Sequence, residues 1–247
     1  MRLNTFWMHP EDMGEGLGFG LFSLTHFYYL IVCLLITIAI CVWYKRASVN
    51  KRISIRLFIG FIPILSQVIR KGLIIYQKGL MLEEIPLHLC GISVFFVVWH
   101  ALKPSQKLGD GLFMLTLPGA LVSLLFLDWS HSYQWNIYSI QSWVIHLFMV
   151  VYVVMLLWAK DLKPKVSSIP VVTGIFVVYS VFIYGLNKWW NTNYLYLNWP
   201  APDSPIELFE GWLGNPGYVL IMALVLIVMW IVMYGLVYLI RWTRQKA

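Results

Sequence analysis

Long apolar runs separated by short polar or proline-bearing stretches make up most of the chain. They cover residues 22–44, 53–76, 85–102, 108–127, 137–158, 166–186 and 218–240. Each is close to the roughly 20 residues that an α-helix needs to cross the hydrocarbon core of a bilayer. The pattern predicts an all-α, polytopic integral membrane protein: a single domain of seven transmembrane helices over residues 1–247, with no room for a separate soluble domain. The first 20 residues carry Glu11, Asp12 and Glu15 against Arg2 alone. A cleaved signal peptide starts basic, so the first run is expected to stay as a span.

The second run is the weakest, because it contains Pro63, Gln67, Arg70 and Lys71. The basic residues between runs decide whether it crosses. Lys45, Arg46, Lys51, Arg52 and Arg56 follow the first run, and Lys103 and Lys107 follow the third. Lys160, Lys163 and Lys165 follow the fifth, and Arg241, Arg244 and Lys246 follow the seventh. These are thirteen of the 18 Lys and Arg, and they share one face only if all seven runs cross. The positive-inside rule makes that face cytoplasmic. The predicted topology therefore has the N-terminus outside and the C-terminus inside, in a multi-pass cell membrane protein. The opposite face receives the acidic N-terminus, Glu83, Glu84, Asp128, Asp203, Glu207 and Glu210. It also receives Trp129, Trp135, Trp189, Trp190, Trp199 and Trp212, as an interfacial aromatic belt would. Residues 187–217 form the one long connection, with Pro200, Pro202, Pro205 and Pro216. Loops of that length are commonly functional.

Composition narrows the classes further. The chain is 60% hydrophobic and 12% charged, against about a quarter charged in soluble domains. The formal net charge of +7 is explained by the one-sided loops, so no nucleic-acid partner is predicted and membrane lipids are the expected surroundings. Cys33, Cys41 and Cys90 make no CxxC pair. Cys33 and Cys41, inside an apolar run, read as small packing residues.

Ionisable groups at membrane depth are costly, by about 2.5–3.5 kcal/mol on insertion scales, and mark functional candidates. In the predicted topology they gather in the outer half: Gln67 and Arg70 in the second span, His88 and Cys90 at the start of the third, and Asp128 at the end of the fourth. His146 lies in the fifth, about 14 Å from its start at 1.5 Å per residue. Asn193 and Tyr194 follow the sixth. The inner half offers no comparable set, and His100 reads as an interfacial residue at a helix end. His146, between Ile145 and Leu147, is too deep to snorkel, and Ser139 and Ser142 share its helix face. His88, His146 and Asp128 lack the spacing of a zinc motif, and no glycine-rich phosphate loop is present, so neither metal nor cofactor is expected. Cys90 as nucleophile with His146 as base is chemically sensible, because a thiol needs a base or a cation to form its thiolate. Residues i and i+2 of a helix point about 200° apart. With Pro86 placed in the first helical turn, His88 and Cys90 are therefore expected to compete for one site.

The run Glu84-Ile85-Pro86-Leu87-His88-Leu89-Cys90 resembles the LPLHLC signature of the YwaF-like integral membrane proteins of Gram-positive bacteria. Asn191-Thr192-Asn193-Tyr194, followed by Pro200, resembles that family's NxNY segment after the sixth span, and His146 matches its fifth-span histidine. The resemblance covers nearly the whole chain and implies a bacterial plasma membrane protein. It extends to a eukaryotic phospholipid acyltransferase whose proposed nucleophile is a cysteine beside the third-span histidine, with a later histidine as base. His88 and His146 match these histidines. The adjacent position here is Leu87, and the nearest thiol is Cys90. The resemblance thus implies acyl transfer or hydrolysis on phospholipid or lysophospholipid, with His146, Cys90 and His88 catalytic. Arg70, Gln67, Asp128, Asn193 and Tyr194 would contact substrate, Arg70 through a phosphate headgroup. The alternative is a non-enzymatic transporter, receptor-like or scaffold protein with an outward polar cavity. A transporter is expected to carry polar groups on both sides of the midplane.

Overall fold

The computed structural model describes residues 3–14, 16–130, 132–201 and 204–246. Glu15 and Asp203, expected on the outer face, lie outside the described residues, as do the side chains of Arg244 and Lys246. The fold is all-helical, with no strand among the described residues. Seven helical segments are long and apolar enough to cross a membrane. The chain is a multi-pass membrane protein.

The chain forms two compact units, Met1–Lys163 and Pro164–Ala247. The first holds α1 (Leu24–Arg46), α2 (Val49–Lys78), α3 (Leu89–Leu102), α4 (Gln106–Leu125) and α5 (Ile137–Trp158). The caps explain several boundaries. Ser23 Oγ accepts from the His26 N–H, and Asn136 Oδ1 accepts from the Tyr138 N–H. Either bond satisfies one of the orphan donors of a helix start. Gly79 ends α2 at φ 82°, a conformation that disfavours any residue with a Cβ. In α4 the turn Leu112–Thr116 is a π-helix immediately before Pro118. Proline cannot donate and crowds the carbonyl four residues back. The wider turn absorbs this, with the Leu117 N–H reaching back to the Leu112 carbonyl.

α5 is the hub. Fifteen of its 22 residues are buried, and it packs against α1, α2, α3 and α4. That placement determines what its polar residues can meet. A close helix crossing occurs at Gly60 of α2, where an added Cβ would lie 2.7 Å from Ala101 Cβ and 3.2 Å from the Tyr152 ring. Small residues let helix backbones approach closely where lipid supplies no hydrophobic drive. Thr116 Oγ1 donates to Ser93 Oγ at 3.0 Å, joining α4 to α3 in the same way.

Residues 45–56, expected as a loop, are helical apart from Ala47 and Ser48. The basic ends are tied together: Tyr44 and Arg52 donate to Asp161, and Gln106 donates to the Lys163 carbonyl. The basic residues of these three connections therefore share one end of the first unit. That end is not empty of buried polar groups. His100 is buried, its Nδ1 2.8 Å from the Tyr152 hydroxyl. Asp110 is fully buried beside Gln106, and Arg56 donates to the Ala101 carbonyl. The expectation of an interfacial His100 and an unoccupied inner half is therefore corrected: helix packing buries what hydropathy alone placed at a surface.

The second unit holds α6 (Ile169–Trp190) and α7 (Ile206–Lys246). The connection between α6 and α7 is residues 191–205, shorter than the 187–217 expected, because α6 runs on to Trp190 and residues 206–213 are helical. α7 is interrupted at Gly214 and Asn215.

Candidate functional site

The motif around His88 does not begin as the proline suggests. Residues 85–88 are non-helical, and α3 starts at Leu89 with His88 as an extended N-cap at φ −63° and ψ 152°. Gly91 allows this: a Cβ there would stand 3.0 Å from Pro86 Cα, so the bent segment folds against its own helix start. His88 therefore escapes the 200° separation from Cys90 that a continuous helix would impose. The continuous helix on which His88 and Cys90 are expected to compete is therefore not formed at residues 85–88.

Cys90, in the first turn of α3, is half-buried. Its Sγ lies 3.8 Å from Ser123 Oγ of α4, and its thiol is near enough to the His146 imidazole to act on it electrostatically. His146 is 9% exposed. Its Nδ1 stands 2.7 Å from the Ser142 carbonyl one turn earlier. A carbonyl can only accept, so Nδ1 carries the proton, and in the neutral ring Nε2 keeps the lone pair. The Trp129 indole covers the imidazole face, with centroids 5.1 Å apart and planes at 10°. Trp143 stands edge-on to Trp129 at 5.9 Å and is stacked on Tyr29 at 5.0 Å.

Around this pair lies a belt of charge. Asp128 acts electrostatically on both His88 and His146. Arg70 Nη1 donates to Gln141 Oε1 and to Ser142 Oγ, each at 3.3 Å. Its Nη2 stands 3.6 Å from Glu84, and its guanidinium lies over the Tyr138 ring at 5.7 Å. Lys71 pairs with the same Glu84. Glu84 is thus tied to α2 through both cations. Ser142 links the two groups: its hydroxyl receives Arg70 while its carbonyl holds His146.

Arg70, His88, Cys90, Asp128 and His146 therefore come together from α2, the start of α3, the end of α4 and α5, as their depths on separate spans suggest. Gln67 is buried on α2 one turn before Arg70. Arg70, Tyr138 and Gln141 border an apolar groove of about 250 Å³ between α2 and α5, with Leu65, Ile69, Ile140 and Val144 in its walls. His146 and Cys90 are not among its lining residues. Among the described residues, no group of three or more His, Cys, Asp or Glu is placed to hold a metal ion.

Asn193 and Tyr194 belong to the second unit, and the structure accounts for them locally. Asn193 Oδ1 accepts from the Asn198 and Trp199 N–H groups, while its Nδ2 donates to the Trp199 carbonyl. Asn187 clasps Tyr194 from both sides, accepting from its N–H and donating to its carbonyl. Tyr194 is fully buried. These bonds close the 191–205 connection on itself.

The model of the TMEM164 family, a transmembrane protein family, matches residues 21–234. The chain belongs to the TMEM164 family. The match takes in all of α1 through α6 and every candidate residue above. No curated protein and no solved structure matches the chain.

The sequence pattern missed Trp129, which reads as one of several belt tryptophans, and Ser123, a lone hydroxyl in an apolar run. It also missed His26, which is fully buried and bridges the Phe22 N–H and the Leu124 carbonyl at 3.0 Å each. The only available signal was the one applied to His146: a histidine inside an apolar run.

Proposed function

We propose that the chain is a membrane-embedded, lipid-active enzyme, an acyltransferase or acyl hydrolase acting on phospholipid in the outer half of the bilayer. The reading carries with it the resemblance to the YwaF-like bacterial branch, the N-out topology and a plasma membrane location. The observation that supports it best is the Cys90 thiol beside a His146 whose other nitrogen is tied to the Ser142 carbonyl. That is the geometry of an activated nucleophile: a base oriented by a third group.

In this reading His146 Nε2 takes the Cys90 proton as Sγ attacks the ester carbonyl carbon. The ester C–O bond breaks, and the departing alcohol oxygen receives that proton from the imidazolium. Cys90 is left as a thioester. A lysophospholipid hydroxyl or water then attacks it, losing its proton to His146, and the thiolate leaves. Membrane depth suits an acyl substrate, and Asp128 favours the imidazolium formed in passing. Arg70 is held from Glu84 by 3.6 Å, longer than a hydrogen bond, so a phosphate headgroup would compete for it. His88 and Gln67 would border the headgroup.

The test is transfer of a labelled acyl chain from phospholipid to lysophospholipid, or its release as fatty acid, by purified protein in bilayers. Turnover by wild type should fall about 10²–10⁴-fold in His146→Ala, as loss of a positioned base does. No turnover by the wild type against any phospholipid class would reject the reading. The transporter alternative is favoured by one observation, the buried His100–Tyr152 and Asp110–Gln106 groups at the other end of α5. It predicts solute flux into proteoliposomes with no change to the lipids.

A further inference from the structure

The surroundings of His146 hold an unusual deficit. Among the described residues, three buried hydrogen-bonding atoms there have no partner: Trp129 Nε1, Trp143 Nε1 and Ser139 Oγ. Ser139 is fully buried and Trp143 is 5% exposed. A buried donor without an acceptor costs about 1–3 kcal/mol, so one orphan calls for explanation. One of them lies directly on the imidazole: Trp129 is stacked on the His146 ring, with Trp143 edge-on to Trp129, while Ser139 lies two helical turns before His146, about 10 Å along the axis. An indole N–H can only donate. What the region lacks is therefore an acceptor, and the group that brings one to a thiol–imidazole pair is an acyl carbonyl.

We infer that Trp129 Nε1–H is the donor that binds the acyl carbonyl oxygen and holds the oxyanion formed when Cys90 attacks it. The inference rests on the acyl-transfer reading above and adds a catalytic residue to it. As Sγ bonds to the carbonyl carbon, the C=O π pair moves onto oxygen and the indole hydrogen bond shortens. When the pair returns, the ester C–O bond breaks and the alcohol leaves with the proton from His146. Two features fit Trp129 for this role. It is packed, stacked on His146 and braced by Trp143, so its donor needs no reorganisation as charge develops. It also lies where water is largely excluded, and there a fixed donor counts for most. Trp143, clamped between Trp129 and Tyr29, is a positioning residue.

Trp129→Phe tests this, because phenylalanine keeps an aromatic face on His146 and removes only the N–H and the second ring. Two reactions of Cys90 are followed on its peptide by mass spectrometry, in protein reconstituted in phosphatidylcholine vesicles. The first is acylation by p-nitrophenyl myristate, which passes through a tetrahedral oxyanion. The second is alkylation by iodoacetamide, which does not. Trp129→Phe should slow acylation about 10²–10³-fold, the range for losing one oxyanion donor, and leave alkylation within about twofold of wild type. Equal slowing of both would show that Trp129 acts through His146, which overturns the assignment. Wild-type rates for both would overturn it too. If wild type alkylates at Cys90 but does not acylate, the acyl-transfer reading itself fails, a result distinguishable from a defect confined to the variant.

Discussion

The crossing at Gly60 holds α2 close to α3 and α5, the helices that carry the site, and it can be perturbed there by one methyl group. Gly60→Ala places a Cβ 2.7 Å from Ala101 Cβ and 3.2 Å from the Tyr152 ring. Carbon atoms rest about 3.5–4.0 Å apart, so α2 must move from α3 by about 1 Å. Overpacking of this kind costs about 1–3 kcal/mol. At about 2–4 °C per kcal/mol for a chain of this size, the apparent Tm should fall by about 2–12 °C. The readout is the fraction of detergent-solubilised protein that stays monodisperse after heating. Ala101 offers an internal check. Ala101→Gly alone should cost about 1 kcal/mol, the helix penalty of glycine. In the double variant it removes the closest contact, so the two changes together should cost less than their sum. The functional consequence follows from the helices involved: α2 carries Arg70, α3 carries Cys90 and α5 carries His146. Splaying them at Gly60 should slow iodoacetamide alkylation of Cys90 even though no site residue changes. Gly60→Ala melting at the wild-type temperature, or additive losses in the double variant, would refute the packing argument.

The topology is tested by single cysteines in a chain otherwise free of cysteine: a membrane-impermeant maleimide should label Ser204→Cys in intact cells and spare Ser167→Cys, and the reverse pattern would invert the assignment. Asn187→Ala removes the acceptor for the Tyr194 N–H and the Thr192 hydroxyl and the donor to the Tyr194 carbonyl. Buried polar groups left unmatched cost about 1–3 kcal/mol each, so faster hydrogen exchange confined to residues 191–205 is expected, with Cys90 alkylation unchanged.

How much of this was legible in the sequence depends on the physical signal. The span at Ile137–Trp158 was read with both ends correct, because Asn136 caps it and apolarity stops where the helix stops. α1, α2, α6 and α7 run past their apolar cores at one end or both. Lys45, Arg46, Lys51 and Arg52 were read as loop, yet lysine and arginine are good helix formers with long stems. Hydropathy locates the edge of the hydrocarbon and says little about where the backbone stops coiling. The segment 206–213 was hidden in the same way, since Ile206, Leu208 and Phe209 alternate with acids among prolines. The convergence of Arg70, Cys90 and His146 was accessible because depth along a span is one coordinate that sequence provides. Azimuth is the coordinate it lacks. That is why His100 reads as an interfacial residue in the sequence although α3 turns it toward Tyr152, and why Trp129 is not distinguished there from its belt neighbours. The bend at residues 85–88 was missed for a third reason: Pro86 is compatible with a helix start, and only the packing of Gly91 against it reveals that the helix begins later.

The central claim is that Cys90 carries an acyl group activated by His146, and trapping that intermediate tests it most directly. Protein quenched in acid during turnover of phospholipid with lysophospholipid is digested and its Cys90 peptide weighed. The account predicts an acyl-thioester adduct on Cys90 that neutral hydroxylamine removes, and that is lost in His146→Ala although the protein stays folded. An unmodified Cys90 in protein that is turning over, together with full activity in Cys90→Ala, would contradict it and leave the thiol a packing residue.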